Sequence, residues 1–175
     1  MASPFNFVTP RLRLYAPTLA ELKQLGCGER AGLGARIGAV IRPEWPGPHL
    51  AAALPEITQA MAHEPGDARW VWIVVEPSTA RVIGDVGFHG PLSAGATAEI
   101  GYVLLPDARG HGYAAEATAA VIQWTFANTQ VAQIIAQIEP SNAASLRVAA
   151  KLGMQELRSL SAGNRCFGVS RPRGG

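Results

Sequence analysis

The sequence predicts one α/β domain, a mixed and mostly antiparallel central sheet with helices on its faces. Three observations predict it. Trp70 to Phe88 reads as strand, turn, strand, which makes an antiparallel hairpin. A strand from Thr97 to Leu105 leads through a helix to a strand at Gln133 to Ile138, and such a crossover makes a parallel pair. The chain has 175 residues, 48% of them hydrophobic and 16% charged, enough for one sizeable core. Residues 1–175 are therefore read as a single domain.

The elements follow in order. Leu12 to Tyr15 is a short strand after Pro10. Thr18 with Glu21 three residues on is a capping box, so a helix starts there and fades near Gly26. Gly and Pro crowd residues 26–48; Glu29 to Ile41 has helical character, and Pro43 to Pro48 is a rigid loop. His49 to Met61 is a helix that tolerates Pro55. Trp70 to Val75 is β-branched and aromatic, and the alternation puts Trp70 and Trp72 on one face. Residues 76–79 turn, Arg81 to Phe88 returns, Gly90 to Gly95 loops, and Pro106 ends the next strand. From His111 to Asn128 the pattern is helical, with Ala117, Val121, Trp124 and Asn128 on one face. Ser141 or Asn142 caps a last helix that stops at Gly153. Gln155 to Leu160 and Arg165 to Val169 close the chain as a hairpin.

Composition narrows the function. A net charge of +2, without a run of Lys or Arg, argues against a nucleic-acid or membrane partner. The charge-free stretch between Glu116 and Glu139 is broken by Gln and Asn and is no membrane span. Pro4, Asn6, Pro10, Arg11 and Arg13 rule out a signal peptide, so a cytoplasmic protein is expected. Cys27 and Cys166 lie far apart, outside any metal-ligand spacing, and read as reduced thiols with no metal site.

The most informative segment is a strand running into a glycine-containing turn that opens a helix: Val103, Leu104, Leu105, then Arg109-Gly110-His111-Gly112-Tyr113-Ala114. Glycines let main-chain N–H groups approach a ligand, and a helix start leaves such donors unpaired under a favourable dipole. This is a diphosphate-binding arrangement that needs no large net charge. The glycines also satisfy two other readings. They can simply shape a tight turn. Gly110-x-Gly112-x-x-Ala115 also fits a dinucleotide fingerprint, but too few strand–helix units follow for that fold. A Walker phosphate loop lacks its Gly-Lys-Ser/Thr.

Arg109 to Ala114 also fits Arg/Gln-x-x-Gly-x-Gly/Ala, and the chain resembles the RimJ/RimL-like branch of the GNAT superfamily of N-acetyltransferases. The likeness starts at Thr9-Pro10-Arg11-Leu12-Arg13-Leu14 and runs through Gly84-Asp85-Val86-Gly87-Phe88 and Glu99-Ile100-Gly101-Tyr102-Val103-Leu104. It ends with Asn142-Ala143-Ala144-Ser145-Leu146-Arg147-Val148 and Lys151-Leu152-Gly153-Met154. The resemblance implies a GNAT-type fold with a splayed parallel pair and a bulge near Tyr102 to Leu105. It implies acetyl-CoA as co-substrate, with main-chain groups of Val103, Leu104 and Leu105 on the pantetheine arm. The N–H groups of Arg109, Gly110, His111, Gly112, Tyr113 and Ala114 would hold the pyrophosphate. Asn142 would bond the pantetheine or acetyl region, and Ser145 would lie near the thioester sulfur.

Transfer to an amine needs a proton acceptor and gains from a donor to the departing thiolate. Glu99 is the expected base and Ser145 the expected acid; a strand Glu and a helix Ser also have plain structural uses. For the acceptor, His89 and Trp45 are the candidates, Trp45 as a lid in its Pro-rich loop. Loop histidines are often only solvated and buried tryptophans only packed. Arg147 and Lys151 can meet the adenosine phosphates, but are expected first as exposed helix charges. The expected acceptor is a small-molecule amine or a peptide N-terminus, in a monomer or homodimer. A catalytically silent acyl-CoA-binding module is the alternative.

Overall fold

A computed structural model describes residues 7–63, 70–90, 92, 95–159 and 163–172. The chain builds β1 (Phe7–Val8), β2 (Arg13–Tyr15), α1 (Leu19–Gly26), α2 (Ala31–Ile37), α3 (Pro48–His63), β3 (Val71–Glu76) and β4 (Arg81–Phe88). After these come β5 (Thr97–Leu104), a 3-10 turn (Pro106–Ala108), α4 (Tyr113–Asn128), β6 (Gln133–Ile138), α5 (Ala143–Lys151), β7 (Gln155–Leu157) and β8 (Arg165–Ser170). The strands form an 8-stranded sheet in the order β1-β2-β3-β4-β5-β6-β8-β7. Only β5 and β6 run parallel.

Most elements form where their residues direct them. Thr18 and Glu21 close the expected capping box on α1. Two elements are shorter than expected. The helix anticipated across Glu29 to Ile41 is confined to α2, because Gly38 turns left-handed (φ 60°) and Val40 instead bridges to Arg81. Helix α4 starts at Tyr113 rather than His111, because Gly110 and Gly112 take φ of 84° and 82°. Residues 91, 93 and 94 of the expected loop and Leu160 of the expected last hairpin lie outside the described residues.

Two apolar cores sandwich the sheet. Leu12, Leu14, Trp72, Val74 and Val86 face α4 and α5 in one. Tyr15, Ile73, Val75, Trp45 and Leu105 face α1 to α3 in the other. Burial on both faces explains why β3 is apolar at nearly every position. It also corrects the expectation that Trp70 and Trp72 share a face. Trp70 precedes β3 and packs with the second core, while Trp72 packs in the first, edge-on to Trp124 at 5.2 Å.

The expected bulge is displaced. Strand β5 pairs with β4 in unbroken register from Gly84 and Leu104 to Phe88 and Ile100. The irregularity lies one strand away, where Val74 pairs with Gly84 but Val75 with Val82, leaving Ile83 as the extra residue. Gly84 serves this offset by letting β5 press close. A Cβ there would run into the Val103 carbonyl oxygen and stand 2.9 Å from Leu104 Cα. G84A is therefore expected to destabilise the fold by about 2 kcal/mol or more, as overpacked sites do. G26A, where nothing lies within 4 Å of the added carbon, is expected to be near neutral. Urea unfolding of both variants checks the contrast.

Candidate active site

The site begins where two strands part. β5 and β6 pair only from Thr97 and Gln133 to Glu99 and Ile135, and then diverge. Beyond that point β5 stays on β4, and β6 stays on β8 as far as Ile138 and Arg165. Their inner edges thus face an opening. Alternation decides which main-chain groups point into it. The Glu99 carbonyl accepts from His89 N–H (2.9 Å), and Leu105 N–H donates to the Ile83 carbonyl (2.8 Å), both toward β4. By that alternation Val103 also spends its main-chain groups on β4, whereas Ile100, Tyr102 and Leu104 direct theirs into the opening. This corrects the expected trio Val103, Leu104 and Leu105: only Leu104 has the right parity, and Leu105 is buried in the second core.

The turn after β5 has its own anchors. Arg109 N–H is committed to the Pro106 carbonyl (3.3 Å), and its Nε donates to the Leu104 carbonyl (2.9 Å). Arg109 therefore braces the turn and offers no free main-chain donor, contrary to expectation. The N–H groups of Gly110, His111, Gly112, Tyr113 and Ala114 have no partner among the described residues. They cluster at the start of α4, where the dipole is positive.

Side chains outside the motif hold this turn in place. Arg11 donates to the His111 carbonyl (2.9 Å), pairs with Glu116 (2.6 Å) and covers the Tyr113 ring at 4.8 Å. Thr9 and the Arg11 main chain also bond Glu116. Burial opposes ionisation of Glu116, but hydrogen bonds from Thr9 and Arg11, with the Arg11 charge, outweigh it and lower its pKa. Tyr113 donates its hydroxyl to Glu76, across on β3. The sequence reading missed Arg11, Glu116 and Glu76. The opening Thr-Pro-Arg segment and the carboxylate in the first turn of α4 were visible, but nothing in the spacing joins them.

A cleft of about 430 Å³ lies between the opening and α5, lined by the turn, by Tyr102 to Leu104 and by Asn142, Ser145, Arg147 and Lys151. Arg147 and Lys151 thus face the turn's cleft. A second lobe of about 520 Å³ lies against α3 and meets the first at His49, Tyr102, Val103, Asn142 and Ser145. Ser145 sits at this junction, with its carbonyl 3.4 Å from the Tyr102 hydroxyl. Asn142 caps α5: its Oδ1 accepts Ser145 N–H (3.0 Å), which leaves its amide nitrogen for a ligand.

The floor of the second lobe holds a glycine pair, with the His89 imidazole lying over one of them, Gly101. Gly87 lies opposite Gly101 in the β4–β5 ladder, with Asp85 opposite Val103 on one side. On the other side His89 N–H meets the Glu99 carbonyl. Directly opposed residues share a face, so Asp85 and Glu99 stand at the two ends of the glycine pair. Glu99 is bracketed by His89 Nδ1 (3.4 Å) and Gln137 Nε2 (3.0 Å). The His89 side chain is 67% exposed and borders the lobe.

Trp45 does not form a lid. Its ring is 1% exposed, and its Nε1 donates to Asp85 Oδ2 at 2.8 Å. Trp45 reaches the lobe only through Asp85, itself 7% exposed and lining the cleft. Burial pushes the Asp85 carboxyl up to about 6, against the opposing pull of the Trp45 N–H. Asp85 was also missed; its signal was a single carboxylate inside the apolar run from Val82 to Phe88. Among the described residues, no three His, Cys, Asp or Glu side chains gather as a metal site, and no helix is long and apolar enough to cross a membrane.

Comparison with known proteins bears on this arrangement. Residues 11–155 match the family model described as an acetyltransferase (GNAT) domain. An uncharacterized N-acetyltransferase, YoaA of Bacillus subtilis, is 32% identical over 85 residues, 49% of this chain and 48% of its own. Matches of this kind span from about a third to just under two thirds of the curated relatives' lengths. Among solved structures, an acetyltransferase of Agrobacterium tumefaciens superposes with a TM-score of 0.63 at 21% identity, over 97% of this chain and 95% of that one. RimL, a ribosomal L7/L12 α-N-protein acetyltransferase solved with coenzyme A, gives 0.61 at 16% identity, over 95% and 97%.

Asp85 has a measurable effect on stability. Its folded pKa lies above the ordinary value of 3.8, so the folded state binds the proton more tightly than the unfolded chain. Stability is then complete below about pH 4 and falls as pH rises through about 6. Asn at this position keeps an acceptor for Trp45 and removes the charge. D85N is expected to be more stable than the parent at pH 7.5, by on the order of 2 kcal/mol, with the gap closing below pH 4. Thermal unfolding across pH 3.5 to 8 checks it.

Proposed function

The chain belongs to the GNAT acetyltransferase family, and on that premise we propose that it transfers acetyl from acetyl-CoA to a primary amine by direct attack in a ternary complex. The observation that carries this reading is the run of unpaired main-chain N–H groups from Gly110 to Ala114, adjoining a strand edge that β6 has left open. Those donors suit the diphosphate of acetyl-CoA. The inward main-chain groups of Tyr102 and the N–H of Leu104, whose carbonyl is held by Arg109, suit its pantetheine amides, as an added strand would. Arg147 and Lys151, on the same cleft, suit the remaining phosphate. The coenzyme A complex of RimL supports the same assignment by likeness of fold.

Acetyl-CoA supplies the acetyl group; this chain's residues position the partners and move protons. The two lobes meet at Ser145, so the thioester end is placed there and the amine enters from the α3 side. Much of the acceleration comes from holding the two together. Glu99, flanked by His89 and Gln137, takes the proton that the amine loses, directly or through one water. The Ser145 hydroxyl, which has no protein partner among the described residues, donates to the departing sulfur.

Titration calorimetry with acetyl-CoA and a thiol-release assay across primary amines test the reading. Wild type is expected to bind acetyl-CoA and to release thiol with at least one amine. G112V forces a side chain onto a φ of 82° and is expected to weaken acetyl-CoA binding roughly tenfold or more. E99Q is expected to keep acetyl-CoA affinity while kcat falls by about 100-fold. Tight binding without turnover for any amine would make the chain a silent acyl-CoA module. Stabilisation by NAD alone would overturn the assignment altogether.

A further inference from the structure

The acceptor lobe is lined by two carboxylates, Asp85 and Glu139, and the acetyl transfer described above requires neither. Asp85 is 7% exposed and borders the lobe. One of its oxygens is occupied by Trp45, while Oδ1 has no protein partner among the described residues. No Arg or Lys is among the described residues lining this lobe. Leu50, Ala53, Ile57 and Trp70 form its apolar wall, and His49 and His89 are its basic side chains. A buried carboxylate is costly unless something positive meets it, and no Arg or Lys among the described lining residues does so.

The register places this group. Asp85 and Glu99 stand at opposite ends of the floor made by Gly87 and Gly101. The stretch from position 85 to position 89, opposite Glu99, is roughly 13 Å at 3.3 Å per residue. The His89 imidazole lies over Gly101 and the Trp70 carbonyl beside Gly87, so an extended guest running from Asp85 toward Glu99 passes along these two groups. The two carboxylates also suit different nitrogens. The nitrogen that attacks must be neutral, and Glu99, hydrogen-bonded by Gln137 and beside His89, can take up its proton. A carboxylate shielded from water instead holds an ammonium in its charged form. Asp85 therefore matches a nitrogen that stays protonated throughout.

We propose that Asp85 is the acceptor-specificity residue, receiving a second, permanently protonated nitrogen, so that the chain acetylates linear diamines in preference to monoamines of the same length. This rests on the acetyl-transfer reading above. Trp45 acts here as a positioning residue: its N–H fixes one oxygen of Asp85 and turns the other to the lobe.

The test compares α,ω-diamines of four to eight carbons with the matching n-alkylamines, using wild type and D85N. Wild type is expected to show a kcat/KM for the best diamine at least about 30-fold above its monoamine, the scale of a desolvated charge pair. D85N, which preserves the bond to Trp45, is expected to erase that preference through KM. Its kcat/KM for monoamines should stay within about threefold, and its acetyl-CoA affinity should be unchanged. Calorimetry with 1,6-diaminohexane on the CoA-bound protein gives a readout independent of turnover: binding in wild type, loss in D85N. Equal use of diamines and monoamines by wild type would overturn the proposal and leave acetyl transfer standing. A diamine preference that survives in D85N would overturn it too. No thiol release with any amine would overturn the acetyl-transfer reading, and this inference with it.

Discussion

Everything at the site depends on β5 and β6 giving up their pairing after three residues. A parallel pair continued to the end of both strands would bury its main-chain groups in itself. Parting instead leaves the main-chain groups of Tyr102 and the N–H of Leu104 directed at open space, which the protein elsewhere avoids. The opening is kept from collapsing by what each strand does on its other edge. β5 is tied without interruption to β4, and β6 to β8. The two halves of the sheet are separately complete, so the gap between them needs no support of its own.

The same economy governs the turn that follows. Five successive residues carry unpaired N–H groups, and they are held from behind rather than by their own ladder. Arg11 arrives from the beginning of the chain, 105 residues away from its partner Glu116, and bonds both that carboxylate and the His111 carbonyl. Tyr113 reaches β3 through Glu76, and Asp107, just before the turn, pairs with Arg42 and Arg81. Each of these contacts uses side chains or carbonyls and leaves the amides free. They restrict the turn to one geometry before any ligand arrives, which lowers the ordering cost of binding.

Local chemistry made the fold legible. The capping box at Thr18, the hairpin from Trp70 to Phe88 and the crossover to Gln133 are all written in adjacent residues, and they form as expected. The turn was legible as well, because glycines at 110 and 112 follow a strand and open a helix, whereas the splayed pair came only from the resemblance to the family. What could not be read was set by register and by distance along the chain. The bulge moved to β4 because the offset at Ile83 depends on how β3 lies against it. Which of Val103, Leu104 and Leu105 faces the opening depends on one residue of parity. Trp45 was read as a lid from its Pro-rich loop, but its indole finds a buried acceptor on a strand 40 residues later. That acceptor, Asp85, stood in plain view in the sequence; only its burial beside a lobe with no Arg or Lys among the described lining residues gives it meaning.

The paired glycines beneath the second lobe tie two parts of the protein together. Neither adds a side chain of its own, and the His89 imidazole and the Trp70 carbonyl rest in the space they leave. A methyl group added at position 101 would lie 2.9 Å from His89 Nε2, pushing the imidazole off the glycine and away from Glu99. At position 87 the added carbon would meet the Trp70 carbonyl instead, at 2.5 Å. Filling either glycine would thus disturb the imidazole beside Glu99 or the start of β3. The helical wall, where Leu50, Ala53 and Ile57 line the lobe, is the side on which its size can change without touching that pair.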